Sequence, residues 1–183
     1  MKYRPILFSG PMVLAILDGR KTQTRRIIKL PADWDGDKIF DNYPFGVKYS
    51  AGDLVHRLYP KWEVGDRLWV RETWRPKSHS FPIGSPYEYR ATDADFVPDD
   101  IPWKPSIFMP RSASRITLEV TDVRAERVAE ICAADIVQEG LPFRDNTFST
   151  LNDFRDMWKD INGPESWRSN PWVWVITFKP VEP

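Results

Sequence analysis

Ten residues, PWVWVITFKP from Pro171 to Pro180, constrain the fold more than any other stretch of the chain. A strand with one wet face alternates apolar and polar side chains, but this one is apolar at every position from Trp172 to Ile176. Such a run escapes water only when both faces are covered, which predicts a central strand. A second strong signal is RITLEVTDVR, Arg115 to Arg124. There Ile116, Leu118 and Val120 alternate with Thr117, Glu119 and Thr121, the pattern of a half-buried strand.

Shorter elements fill in around these two. Tyr3 to Phe8 (YRPILF) reads as a strand, and Pro5, with no N–H for a ladder, assigns it to an edge or a strand start. GPMVLAILDG places Met12, Val13, Ile16 and Leu17 on one helical face, with Pro11 in the first turn and Gly19 at the stop. Thr22 to Ile28 reads as a strand with Thr22, Thr24 and Arg26 on one face and Gln23, Arg25 and Ile27 on the other. A Gly65-Asp66 turn leads into a strand from Arg67 to Trp74, and Tyr87 to Ala91 suits a short strand. One helix is expected over Glu126 to Glu139, closed by Gly140, and another over Thr150 to Ile161.

Between them, Leu30 to Glu63 is polar and weakly patterned, while seven prolines from Pro76 to Pro110 exclude regular helix. With no internal repeat and no linker, residues 1–183 read as one domain. The fold class is α+β: a small mixed β-barrel flanked by helices, with long insertions at about 30–63 and 76–110.

Composition narrows the chemistry. Twenty-six cationic residues balance twenty-six anionic ones, so any nucleic-acid contact must come from a local patch. A single cysteine, Cys132, rules out an internal disulfide, and two isolated histidines, His56 and His79, give no metal-ligand spacing. Cys132 falls on an apolar helix face and reads as an inert core residue. No apolar window approaches the roughly 18 residues of a membrane helix, and the N-terminus has no secretory run. The expectation is a soluble cytoplasmic protein with neither metal nor cofactor.

Against that neutral background, Arg20, Lys21, Arg25, Arg26 and Lys29 put five positive charges into ten residues with no carboxylate among them. One reading is a solvated basic strand edge, since cations protect edges from aggregation. The other is a lysine crowded by guanidiniums and partly desolvated, whose pKa falls until it can serve as a base. The guanidiniums would then hold a phosphate or a carbonyl oxygen.

Gly19-x-Lys21-x-x-Thr24-x-Arg26, following an N-terminal helix, resembles the signature of the ASCH family, whose domains have a β-barrel related to the PUA fold. Thr24 stands where many members carry Glu, and GRKTxTxR is similar to the branch that includes small bacterial N4-acetylcytidine amidohydrolases. The Gly65-Asp66 turn, the LEVT strand around Glu119, the helix ending Gln138-Glu139-Gly140 and the C-terminal strand agree with it. The chain is longer than those compact enzymes and is similar to long members often found in phages and prophages.

The resemblance implies a catalytic group of Lys21, Thr24 and Glu139, with Asp135, one turn earlier, as the alternative carboxylate. Lys21 would activate Thr24 or a water for attack on an acyl carbonyl, and Glu139 would orient Lys21 or pass the proton to the leaving amine. Arg26 would stabilise the oxyanion, with Arg20 and Arg25 also holding substrate. Glu139 also breaks a local rule, since a carboxylate in the last helical turn faces the negative end of the dipole at a cost of about 0.3–1 kcal/mol. Glu72 either shapes the pocket or pairs with Arg71 or Arg67. Trp103, near Lys104 and Arg111, is the tryptophan placed to stack a base. The implied partner is a modified nucleoside or RNA, with DNA not distinguished. Two other functions fit the same residues: a non-catalytic RNA- or modified-base-binding module, and a metal-independent ribonuclease.

Overall fold

The computed structural model describes residues 1–30, 46–48, 55–77, 85–93 and 101–181. Most of the expected insertion at 30–63, and part of that at 76–110, lies outside them. Strand β1 (Tyr3–Leu7) leads through helix α1 (Gly10–Leu17) to β2 (Gln23–Ile27). Then come β3 (Gly46–Lys48), β4 (Val55–Arg57), β5 (Arg67–Arg71), β6 (Trp74–Pro76), β7 (Tyr87–Tyr89) and the short helix α2 (Arg90–Asp93). β8 (Thr117–Arg127), α3 (Ala133–Gln138), α4 (Thr147–Asn162) and β9 (Trp172–Val181) complete the described strands and α-helices.

The main sheet has five strands in the order β1-β5-β8-β9-β2. β1 and β5 are parallel and the other pairs antiparallel. β9 is therefore interior, and its doubly apolar sequence serves two cores. Trp174, Ile176 and Phe178 join Phe8, Val13, Leu68 and Leu118 on one side, while Val173 and Val175 join Ile136, Phe154 and Trp158 on the other. β3–β4 and β6–β7 form separate two-stranded ladders.

This is a mixed α+β fold, but the described ladders close no barrel. β1 and β2 remain the two edges of the sheet. A side chain links them instead: Arg26 Nη2 donates to the Leu7 carbonyl at 2.8 Å. At the far end of β1, Asp66 accepts from the Lys2 N–H at 2.7 Å, from Arg4 Nε at 3.2 Å and from the Glu63 N–H at 3.3 Å. Burial works to raise the Asp66 pKa, but these donors outweigh it and leave the carboxyl below its ordinary value.

Four local expectations need correction. The single helix over Glu126–Glu139 is a strand end, a turn and a short helix. β8 runs on to Arg127 because β9 pairs with it as far as Trp172 opposite Arg127, after a bulge between Val120 and Asp122. Cys132 then sits exposed at the start of α3, not in the core, with its thiol 3.3 Å from Asp135 Oδ2. The strand from Arg67 to Trp74 breaks at Glu72-Thr73 into β5 and β6. On α1 the buried face is Val13, Ala15 and Ile16, while Leu17 is exposed. Among the described residues no helix is long and apolar enough to cross a membrane.

Candidate functional site

The basic stretch folds against the C-terminus of α3. That helix ends in a Schellman motif: the Leu141 N–H donates to the Ile136 carbonyl at 3.3 Å and the Gly140 N–H to that of Val137 at 2.9 Å. Gly140 takes the left-handed conformation the motif requires, at φ +97°. A carbon added there would meet Ala15 Cβ at 2.8 Å and Lys21 Cβ at 3.1 Å, so the absent side chain is what lets Lys21 approach.

Three consecutive residues then cap three consecutive carbonyls. Arg20 Nη1 donates to Gly140 O at 2.9 Å, Lys21 Nζ to Glu139 O at 2.8 Å and the Thr22 N–H to Gln138 O at 2.8 Å. Cations at a helix C-terminus satisfy orphan carbonyls and complement the dipole. Part of the concentrated positive charge is therefore explained by the helix it closes.

Lys21 is almost fully buried. Its ammonium donates to Gln23 O, Glu139 O and Glu139 Oε2, each at 2.8 Å, and lies 5.5 Å from the centre of the Phe8 ring. Desolvation is the largest influence on its pKa and lowers it; the contact with Glu139 pulls the other way, and Arg26 and Arg25 add smaller lowering effects. The direction agrees with the crowding argument, but burial leads.

Glu139, also buried, uses its other oxygen to accept from Arg25 Nη1 at 3.1 Å. Its awkward position at the helix end is thus offset by two cations. Arg25 Nη1 donates to Gln23 Oε1 at 2.7 Å and Nε to Glu126 Oε1 at 2.8 Å. Its Nη2 pairs with Glu126 and Asp135 as charges, off the hydrogen-bond direction. Asp135, the alternative carboxylate, therefore belongs to Arg25 and Arg124. No signal local to the motif identifies Glu126; it follows from the register, in which Arg25 faces Val175 and Val175 faces Arg124.

A narrow cavity of about 60 Å³ opens beside this cluster, with Thr24, Arg26 and Glu139 on one wall and Phe154, Met157 and Trp158 of α4 on the other. Thr24 is buried on this wall. Lys21 does not line the cavity and reaches it through Glu139. The α4 wall is legible in the sequence only as an apolar helical stripe, which fits a core equally well.

The remaining candidates lie elsewhere. Glu72 pairs in bidentate fashion with Arg115, at 2.9 Å to each oxygen, rather than with Arg71 or Arg67. It lines a separate cavity of about 390 Å³ with Thr73, Arg90 and Pro11. Trp103 is stacked by Arg75, whose guanidinium carbon is 4.0 Å from the ring centre, and does not line the Glu139 cavity. Arg20 is exposed and, besides its capping bond, pairs with Asp18 at 2.8 Å. Among the described residues no group of three or more His, Cys, Asp or Glu side chains is arranged to hold a metal.

No protein-family model and no curated protein matches this chain. Among solved structures it is similar to an ASCH domain from Lactobacillus crispatus JV V101, at 12% identity and a TM-score of 0.42, over 98% of this chain and 79% of that one.

Proposed function

We propose that this chain is an ASCH-type hydrolase that cleaves the amide of a small N-acyl group on a cytidine-type base. The observation that supports this most is the Lys21–Glu139 pair, a lysine with its charged form disfavoured by burial and bonded at 2.8 Å to a carboxylate on a cavity wall. The motif Gly19-x-Lys21-x-x-Thr24-x-Arg26 supplies the family reading.

The pair acts as one proton acceptor. Burial works against the charged form of Lys21, and the pair takes the proton of Thr24, or of a water held by it, through Glu139. The oxygen attacks the acyl carbonyl, and Arg26 stabilises the oxyanion from the same wall. The pair returns the proton to the exocyclic nitrogen as the carbon–nitrogen bond breaks. Where Thr24 is the nucleophile, water then hydrolyses its ester and releases the acid.

Cavity size adds a limit. Pockets that enclose whole ligands measure roughly 300–1,000 Å³, whereas this one is about 60 Å³. Only the acyl end enters, and the base stays at the mouth. Incubating the protein with cytidines carrying N4-acetyl, butyryl and octanoyl groups tests this, with products separated by chromatography. Release of cytidine from the acetyl compound, falling steeply with chain length, is expected; no release from any of the three would remove the proposal. One observation favours a non-catalytic base-binding module instead: all three N–H groups of Lys21 are engaged in capping and pairing.

A further inference from the structure

Asn162, the last residue of α4, lines the acyl cavity, yet the chemistry proposed above gives it no task. Around that cavity the lining grades from buried to exposed. Thr24, Glu139, Phe154 and Trp158 are buried, whereas Ile27, Ile161 and Asn162 are exposed. The exposed three mark the mouth, where a base stays once its acyl group has entered. Two isoleucines offer apolar surface to a flat ring, and Asn162 carries the only side-chain amide among the described lining residues.

The helix sets the position of that amide. Asn162 Nδ2 donates to the Trp158 carbonyl at 3.1 Å, which folds the side chain back over the turn that walls the cavity. The bond takes one of two N–H groups, and the amide also has an acceptor oxygen. A donor beside an acceptor complements an exocyclic N–H beside a ring nitrogen, the pairing by which Asn contacts adenine in duplex DNA. In an N4-acylated cytosine the matching groups are N4–H and N3.

We propose that Asn162 reads this edge, accepting from the exocyclic N–H and donating to the adjacent ring nitrogen. The substrate class is then an acylated amino group next to a ring nitrogen, as distinct from a simple N-acyl amine. The inference rests on the hydrolase reading for what happens to the acyl group. As the carbon–nitrogen bond breaks, its electron pair passes to N4 and is shared with N3, while the Lys21–Glu139 pair supplies the proton to N4. A donor at N3 stabilises that charge.

The experiment compares N4-acetylcytidine with its 3-deaza analogue, in which C–H replaces N3. Chromatography gives kcat/KM for wild type, for Asn162→Asp, which keeps the shape but has no N–H, and for the neutral Asn162→Leu. Calorimetry gives dissociation constants for both compounds in Thr24→Val, alone and combined with each Asn162 variant, so that recognition is measured apart from turnover. Melting curves establish that every variant is folded.

With Asn162 present, loss of N3 should weaken binding about 10-fold. Without it the two compounds should bind within about 2-fold of each other, and the ratio of their kcat/KM values should shrink by at least the factor lost in binding. Ratios unchanged in both Asn162 variants would overturn the proposal even if wild type hydrolyses N4-acetylcytidine. Discrimination in binding without any hydrolysis by wild type would uphold Asn162 as the reader and remove the hydrolase. Neither binding nor turnover would overturn both.

Discussion

The proposed chemistry rests most on Lys21, whose pH behaviour follows from its surroundings. An unfolded lysine titrates near about 10.4, and burial holds the folded one lower. Between those two values the unfolded chain binds the extra proton, so stability contributed at this residue rises with pH and is least below the folded pKa. The urea midpoint should therefore gain more between pH 8 and pH 10 in wild type than in the variant Lys21→Met, Glu139→Gln, which keeps the volume but has nothing to titrate. Equal gains would mean that Lys21 keeps an ordinary pKa. The motif itself marks Lys21 and Thr24 in the sequence, and the resemblance adds Glu139 at the end of the later helix, with Asp135 as the alternative. What it does not carry is burial, because desolvation depends on Phe8, α1 and the end of α3 closing around one ammonium.

At the scale of elements, the end of α3 sets the site. Its Schellman turn directs the Glu139 carbonyl and carboxylate toward Lys21, and the close approach of α1 and the basic stretch depends on Gly140. Gly19 is also left-handed, at φ +71°, but a carbon added there meets nothing within 4 Å. Gly19→Ala should therefore cost about 1–2 kcal/mol from conformation alone. Gly140→Ala should cost more, because the added methyl must also displace Ala15 or Lys21. Urea denaturation of the two variants gives the comparison, and equal losses would contradict the close approach. The sequence marks Gly140 as a helix stop but runs the helix back to Glu126. Helical spacing of Val128, Ile131, Cys132 and Ile136 outweighs the strand pattern locally, yet pairing with β9 carries β8 to Arg127.

Across the whole molecule, β9 organises the fold, and its place is readable because consecutive apolar residues demand cover on both faces. Alternate side chains enter separate cores, and the sheet between them brings Arg25 on β2 within reach of Glu126 on β8. That pairing spans 101 residues of sequence, and no local pattern announces it. Trp103 lies apart from the Glu139 cavity for the same reason: Lys104 and Arg111 adjoin it in sequence, but Arg75 is the cation that stacks on it. The edges of the sheet, joined through Arg26 and not by a ladder, leave room for α4 to wall the cavity. Removing Lys21 alone would confound chemistry with folding, since breaking a buried ion pair costs about 3–5 kcal/mol.

Thr24 separates a working site from a mere helix cap, because its hydroxyl takes no part in closing α3. The decisive measurement is the rate of cytidine release from N4-acetylcytidine by Thr24→Val beside wild type, each checked by thermal melting. With the melting temperature held, the rate should fall by at least about 100-fold; a variant that melts like wild type and hydrolyses as fast would contradict the assignment.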